Sequence, residues 1–388
     1  MNQHDALLEL ERAAKSPLGP QRHNGEPQSE TPRLADLLDE IDLLIRRFVK
    51  LPKPELAMLI AVWLAETYTF ERFRYCGYLA LRSATPRCGK TLLMRILSQS
   101  ANGAPSIVSI PTPATLYRST RPVLLLDEVD KLRNADKEKY GEVLAVLNCG
   151  FEAGGVIERC NKNTFKIEQY QVYGPKALAG IEGIADTLAD RSFQIQMERS
   201  AHRMPRLNLR KIDDLFVQLR AGLQGWAEQH GEQIIDIYDE LPDQLGCLDG
   251  FDDRFQDIAE PLVVLATLAD AERHEGPAIL ARLLAGLNAA AGRREPSGRE
   301  QQLLAFLDIA ATRVGAADEV FVRSADLLAD CAVIEDLALI ETGRRLAGLL
   351  KHFDLRPTFN HAKTERGYWI TKSWVETWRG RYAKAGEL

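Results

Sequence analysis

The sequence predicts an α/β fold, a parallel sheet sandwiched by helices, with an all-helical segment and a small helix-and-hairpin module behind it. Three observations predict it. Residues 84 to 91 read Ala-Thr-Pro-Arg-Cys-Gly-Lys-Thr, which fits the phosphate-cradling pattern G-x-x-x-x-G-K-[ST] at every fixed position but the first, where Ala84 stands. An apolar run ending in two carboxylates, Pro122 to Glu128, follows about 35 residues later. Strand-like and helix-like stretches alternate around both, as parallel strands with crossover helices require.

The loop has the flanks it needs. Tyr75 to Leu81 reads as a buried strand and Leu92 to Leu97 as an amphipathic helix. In such a loop backbone N–H groups and the helix N-terminus face phosphates, so Pro86, Arg87, Cys88, Gly89, Lys90, Thr91 and Leu92 are the expected nucleotide contacts. Lys90 is the expected cation on the phosphates and Thr91 the hydroxyl on magnesium. Taken alone, the loop with Ala84 at its head is as consistent with chance as with ATP. The carboxylate strand changes that: Asp127 is placed to hold Mg²⁺ and Glu128 to polarise the attacking water. The competing reading of Asp127 and Glu128 is a solvated strand end.

Composition bounds the rest. The chain has 388 residues, 45% of them apolar, enough for two or three modules around sizeable cores. No apolar run approaches the roughly 18 residues of a membrane span, and no basic start leads into an apolar block, so a cytoplasmic protein with no membrane partner is expected. Six scattered cysteines form no C-x-x-C pair, which argues against a zinc site or a disulfide framework. The net charge of -6 does not announce a nucleic-acid binder, but Arg344 to Leu388 holds ten Lys or Arg against four Asp or Glu. A basic module of +6 therefore follows a body of -12.

In chain order, residues 1–33 are rich in Pro, Gly, Gln and Ser and read as a disordered or linker segment. Residues 34–205 form the helical cap and P-loop core. Leu37, Leu38, Ile41, Leu44, Ile45 and Phe48 recur at helical spacing, and a second apolar helix runs from Glu55 to about Thr67. Ser106 to Ile110 is a short strand, Thr112 caps a helix with Pro113 at its first position, and Lys137 to Asn148 is helical. Two short strands, Gly155 to Arg159 and Thr164 to Ile167, flank a turn at Asn161-Lys162-Asn163, before Lys176 to Ile181 returns to the sheet. Ring-shaped helicases place a DNA-contacting loop at this point, which makes Lys162 and Lys166 candidates for phosphate contact; an ordinary solvated hairpin fits as well.

Arg191 stands at the entrance to the final strand, where oligomeric ATPases project an arginine into the neighbouring subunit's site. A structural ion pair with Asp190 or Asp186 is the alternative. Residues 206–292 read as an α-helical lid, in which Arg254 opens a helix continuing through Pro261. Arg254 is either a second sensor on the γ phosphate or an unremarkable helix-start arginine. After a linker, residues 298–388 read as a winged-helix-like domain: helices at Gln301–Val314, Ser324–Asp330 and Gly343–Phe353, a hairpin around Asn360 to Arg366, and a closing helix from Ser373. Arg344, Arg345, Lys351, Lys363 and Arg366 are candidate phosphate contacts, and Tyr368 and Trp369 fit either a contact or the core. Protein binding is the other use of such a module.

Four stretches, RCGKT, LLLDE, YGPKALAGIEGIADTLADRSFQI and DRFQDIAEPLVVLATLA, resemble a family of helicase-like P-loop ATPases from phages and integrated mobile elements, often described as primase-helicases. The resemblance covers roughly Val49 to Tyr382. It implies an AAA+ core of the helicase sort, forming rings on DNA. Two departures stand out: the strand ending at Gly180-Ile181-Glu182 lacks the Asn or Thr of a first sensor, leaving water positioning to Glu128 with Asn148 or another polar group, and no primase-like cluster is present.

These readings lead to an ATP-hydrolysing, hexameric, ring-forming DNA helicase or translocase, with ATP and Mg²⁺ as cofactors and single-stranded or forked DNA as partner, serving replication of a phage or mobile element. Its rival is an ATP-driven assembly switch, an initiator, loader or antiviral defence ATPase, that binds DNA or partner proteins without unwinding. A third possibility is a DNA-binding regulator with an inactive nucleotide site.

Overall fold

A run with no polar face, Leu56 to Glu66, becomes the innermost helix: all eleven of its residues are buried. A helix apolar all round must be covered on every side. In the computed structural model, which describes residues 32–83, 87–109, 111–128, 131, 136–161, 163–180, 186–200, 204–240, 246–273, 276, 278–291, 298–334, 337–338 and 340–382, this helix sits among other helices and the sheet. The expected disordered segment lies almost wholly outside the described residues. Contacts divide the chain into two units, Met1–Gly292 and Arg293–Leu388.

The first unit is α/β. Helices α1 (Leu34–Phe48) and α2 (Leu56–Glu66) precede strand β1 (Tyr78–Arg82). Then come α3 (Lys90–Ser100), β2 (Ile107–Ser109), α4 (Pro113–Tyr117), β3 (Leu124–Asp127) and α5 (Lys137–Cys149). A hairpin of β4 (Val156–Cys160) and β5 (Ile167–Gln171) leads to β6 (Lys176–Ala179), α6 (Asp186–Ala189) and β7 (Ser192–Gln196). Four longer helices follow: α7 (Asp213–Gln229), α8 (Gly231–Glu240), α9 (Asp253–Ala271) and α10 (Ile279–Ala291).

Five strands form one parallel sheet in the order β2-β3-β6-β1-β7, flanked by helices, consistent with a P-loop-like core. β6 therefore separates the loop strand β1 from the carboxylate strand β3. Its four residues are all buried, as a central parallel strand demands. Helix α3 packs over β2, β3 and β6, and α10 lies against β7. Helix α2 packs on α1, α9 and α10, and its Trp63 indole donates to Gly77 O at 2.8 Å, tying it to the start of β1. Gly286 on α10 permits the close approach, since a Cβ there would stand 2.8 Å from Glu55 O. The helices flanking the P-loop strand and those of residues 213–291 thus share one continuous apolar core.

Local chemistry explains several element ends. Thr112 caps α4 through a reciprocal pair, accepting from Thr115 N at 3.2 Å while Thr115 Oγ1 accepts from Thr112 N at 3.0 Å. Asp136 and Asp252 cap α5 and α9 in the same sense.

The second unit comprises α11 (Gly298–Val314), β8 (Glu319–Arg323), α12 (Ser324–Cys331), α13 (Gly343–Leu350), β9 (Thr358–Phe359), β10 (Arg366–Thr371) and α14 (Lys372–Tyr382). Its strands form an antiparallel sheet in the order β8-β10-β9 around a separate core including Phe306, Leu327, Leu346 and Tyr368. Strand β8 was not among the expected elements, although Val320, Phe321 and Val322 are good strand formers. The second arm of the first-unit hairpin also begins three residues later than expected, because residues 161 and 163–166 are spent on a hydrogen-bonded tip.

Candidate active site

β1 ends at Arg82 and is followed by the buried Ser83. Residues 84–86 lie outside the described stretches, and with them the expectation for Pro86. The chain then turns through two left-handed residues, Arg87 at φ 66° and Gly89 at φ 93°, and Gly89 caps α3. A Cβ on Gly89 would come no nearer than 3.6 Å to a neighbour, so its backbone conformation, not crowding, asks for glycine. The first N–H groups of α3 have no intrahelical acceptors and carry the positive end of the helix dipole, which makes this turn suited to an anion. Lys90, the first helical residue, donates to Ser83 Oγ across the loop.

Asp127 is the last residue of β3 and pairs in register with Ala179 of β6. Glu128 follows with φ 59°, an uncommon conformation for a side chain of its size, and donates its N–H to Asp127 Oδ1 at 2.9 Å. Its carboxylate pairs with the Lys131 ammonium. The two ends of this construction meet in a cleft of about 500 Å³. Arg87, Cys88, Gly89, Lys90, Thr91 and Leu92 line one part, Asp127 and Glu128 another, and Arg95, Lys131 and Gly180 complete it.

Three of those lining residues were not anticipated. Arg95 lies one helical turn after Thr91, a spacing that exposes it to the same side. Lys131 stands three residues beyond Glu128. Gly180, at the end of β6, brings no side chain to the place a first sensor would occupy. Asn148 does not supply the missing group. It lies near the opposite end of the sheet, where its neighbour Leu147 accepts the Tyr78 hydroxyl through its carbonyl, and its own Oδ1 is buried with no partner among the described residues. A second cleft of about 380 Å³ adjoins through Leu92 and Arg95 and is otherwise formed by residues 206–210.

Arg191 and Arg254 stand elsewhere. The ladder sets Tyr78 opposite Ser192 and Arg82 opposite Gln196, and Tyr78 N donates to Arg191 O. Arg191 is thus at the far end of the β1–β7 pair from Ser83, about 20 Å away along strands rising about 3.3 Å per residue. Its guanidinium lies 4.6 Å from the Phe151 ring centroid, and Nη1 donates to Thr187 O, while Nε is buried with no partner among the described residues. Burial, then the nearby Arg254, pulls the Arg191 pKa below its ordinary value, and Asp190 opposes them. The two arginines expected to serve phosphate are therefore neighbours. Phe255 holds Arg254 there by packing edge-on against Phe193 at 5.6 Å. Arg254 does not line the cleft of its own chain, because the start of α9 is pinned at the Arg191 end of β7.

The candidate nucleic-acid contacts fall in both units. Lys166 is exposed at the hairpin tip, and Lys162 lies outside the described residues. Arg344 and Arg345 are exposed in the first turn of α13, which Thr342 caps. Lys363 and Arg366 are exposed on the β9–β10 hairpin, and Lys351 follows α13 directly. Tyr368 belongs to the core at 1% exposure, whereas Trp369 points to the other sheet face against Phe321 and His361.

A P-loop-like α/β core carrying a cleft at a glycine-led helix N-terminus is the class that fold and site define. No protein-family model matches the chain, and no curated protein matches it. Among solved structures it is similar to one described as SCCmec type IV Cch, an active helicase, with 10% identity, a TM-score of 0.45, and coverage of 93% of this chain and 72% of that one.

Proposed function

We propose that the protein is an ATP-hydrolysing, ring-forming DNA helicase or translocase with an AAA+ core, an α-helical lid over residues 206–292 and a winged-helix-like domain over 298–388, serving a phage or mobile element. The carrying observation is a division of labour across the sheet. The loop, Lys90, Thr91, Asp127 and Glu128 share one cleft, while Arg191 and Arg254 lie together at the opposite end of the β1–β7 pair. Two arginines so placed cannot serve their own chain's cleft but can serve a neighbour's, which is the arrangement a hexameric ring uses.

The cleft's chemistry fits ATP with Mg²⁺: a helix N-terminus, the cations Arg87, Lys90 and Arg95, one hydroxyl and one strand-end carboxylate. Magnesium, when bound, neutralises phosphate charge. Lys90 would release Ser83 to bind phosphate oxygens, while Thr91 and Asp127 would hold the metal shell. Glu128 orients and polarises the attacking water. Arg191, with Arg254 beside it, neutralises charge on the phosphoryl group in the adjoining subunit. Arg254 thus acts in the neighbour's site, not as a sensor in its own. Lys166 and Lys162 on the hairpin, and Arg344, Arg345, Lys363 and Arg366 in the second unit, contact DNA phosphates.

One observation favours the rival assembly switch, an initiator, loader or defence ATPase. The Glu128 carboxylate is held by Lys131, as in a site waiting for a partner. The deciding experiment measures ATP hydrolysis and strand displacement on forked DNA together. Hydrolysis-dependent displacement, lost in Glu128→Gln, supports the helicase; hydrolysis without displacement supports the switch.

A further inference from the structure

The tip of the β4–β5 hairpin presents Phe165 to solvent at 81% exposure. Its described residues are held by hydrogen bonds. Asn161 organises it: its N–H donates to Lys166 O and its carbonyl accepts the Phe165 N–H, each at 2.8 Å, while Oδ1 accepts from Asn163 N at 2.9 Å and Thr164 N at 3.1 Å. Its amide Nδ2 donates to Glu168 Oε1 at 2.6 Å, locking the tip to β5. Phe165 itself adopts φ 52°, which a bulky residue takes only when its surroundings impose it.

The hairpin behind the tip is braced. Tyr170 and Tyr117 pack at 4.7 Å, Arg118 lies 5.6 Å from the Tyr170 ring, and Arg159 lies 5.5 Å from that of Tyr117. At its root, the buried Lys176 ammonium donates to the carbonyls of Gly150, Val172 and Gly174 at 3.1, 2.9 and 2.8 Å. A rigid stem ending in one uncovered ring is a presentation device.

We infer that Phe165 is a stacking contact for an unpaired nucleobase, giving the hairpin a preference for single-stranded over duplex nucleic acid. The surroundings select this occupant. A protein contact hot spot needs an apolar surround that excludes water. Among the described residues of the tip, Ile167, itself 70% exposed, is the large apolar one besides Phe165, and Asn161, Asn163, Thr164 and Lys166 are polar. A π-face beside a cation and amides matches a base with its phosphate, and every base offers a π-face, so the contact reads strandedness and not sequence. In a duplex those faces are stacked on one another and closed to Phe165. The inference rests on the nucleic-acid reading above and adds to it a contact that the hairpin lysines cannot make.

The test uses the full-length protein, a fluorescein-labelled oligo(dT) single strand and a duplex of equal length, across a salt series. Phe165→Ala is expected to weaken single-strand binding about 5- to 150-fold, the range for one lost stacking contact. Duplex binding, basal ATP hydrolysis and Tm stay unchanged. Its salt slope also stays unchanged, whereas Lys166→Ala reduces the slope by about 0.7. Phe165→Trp retains affinity, and its added emission is quenched by oligo(dT). Equal single-strand affinity in Phe165→Ala, equal loss on duplex, or full rescue by Phe165→Leu each overturns the inference while leaving the helicase reading standing. Failure of the unaltered protein to bind either nucleic acid sinks that reading as well.

Discussion

Gly89 shows how much of the site hangs on one backbone angle. Its φ of 93° turns the chain into α3, and any side chain there is strained although space is available. Gly89→Ala should cost about 1–3 kcal/mol of stability and abolish the Tm rise given by saturating ATP, both read by thermal unfolding with and without nucleotide. Lys131 and Glu128 invite a second prediction. Their side chains are 55% and 40% exposed, and such a pair holds at most about 1 kcal/mol. Lys131→Ala should therefore raise basal phosphate release by no more than about fivefold; a larger rise would show Lys131 to be a true lock. At this scale the sequence was most readable where neighbours in space are neighbours in chain. Gly-Lys-Thr and Asp-Glu announce themselves, and Arg95 could have been found by counting one helical turn from Thr91. Lys131 and the meeting of Arg191 with Arg254 had no comparable signal, since the latter depends on Phe255 packing under β7.

Elements carry their own tests. α1 and α10 are joined by charge: Arg282 pairs with Asp39 and with Asp42, the latter at 3.0 Å, and Arg273 reaches Asp39 at 2.9 Å. The Asp42 side chain is only 4% exposed, and burial pushes its carboxyl pKa up against the pull of Arg46 and Arg282. Arg282→Met should cost about 3 kcal/mol by chemical denaturation, since it leaves a buried carboxylate under-compensated. At the start of β6, burial lowers the Lys176 pKa from 10.5 to about 7, with Cys76 and Cys149 opposing it. Between those values the unfolded chain holds a proton that the folded one sheds, so the stability contributed by this lysine increases with pH across that window and is flat below it. The advantage of the unaltered protein over Lys176→Met should grow by up to about 1.4 kcal/mol per pH unit, followed through urea midpoints from pH 7 to 9.5. Helix starts were legible from sequence where a cap declares them, as at Thr112. Strand β8 was not: Glu319 to Arg323 has the right residue types, but its pairing with β10 is fixed by tertiary contact.

For the whole molecule, the order β2-β3-β6-β1-β7 could not be read from the chain, because alternation of strand and helix leaves the order of parallel strands open. That order gives the ring proposal its sharpest test. If Arg191 completes a neighbour's cleft, Arg191→Ala subunits keep an intact Glu128 and Glu128→Gln subunits keep an intact arginine. Each variant alone should be inactive, with losses of about 10³ to 10⁵ in rate for the arginine. Mixed in equal amounts, they should regain a measurable fraction of phosphate release through junctions that pair one good half from each. No recovery on mixing, with exchange of subunits verified, would count against a shared site.

The central strand β6 has a mechanical consequence. One end, at Gly180, borders the cleft, and the other, at Lys176, grips the root of the hairpin. Three residue steps separate Lys176 from Ala179, about 10 Å of strand. β3 and β1 clamp it on both edges, so it cannot slide by a residue without breaking two ladders and turning its buried side chains around. The hairpin is in effect welded to the strand whose other end borders the cleft. On the proposed helicase reading, a stroke driven by hydrolysis would swing sheet and hairpin together as one rigid oar, with the hinge outside the strands. Spin labels on Gln169 and on the sheet should keep a constant separation through the ATP cycle.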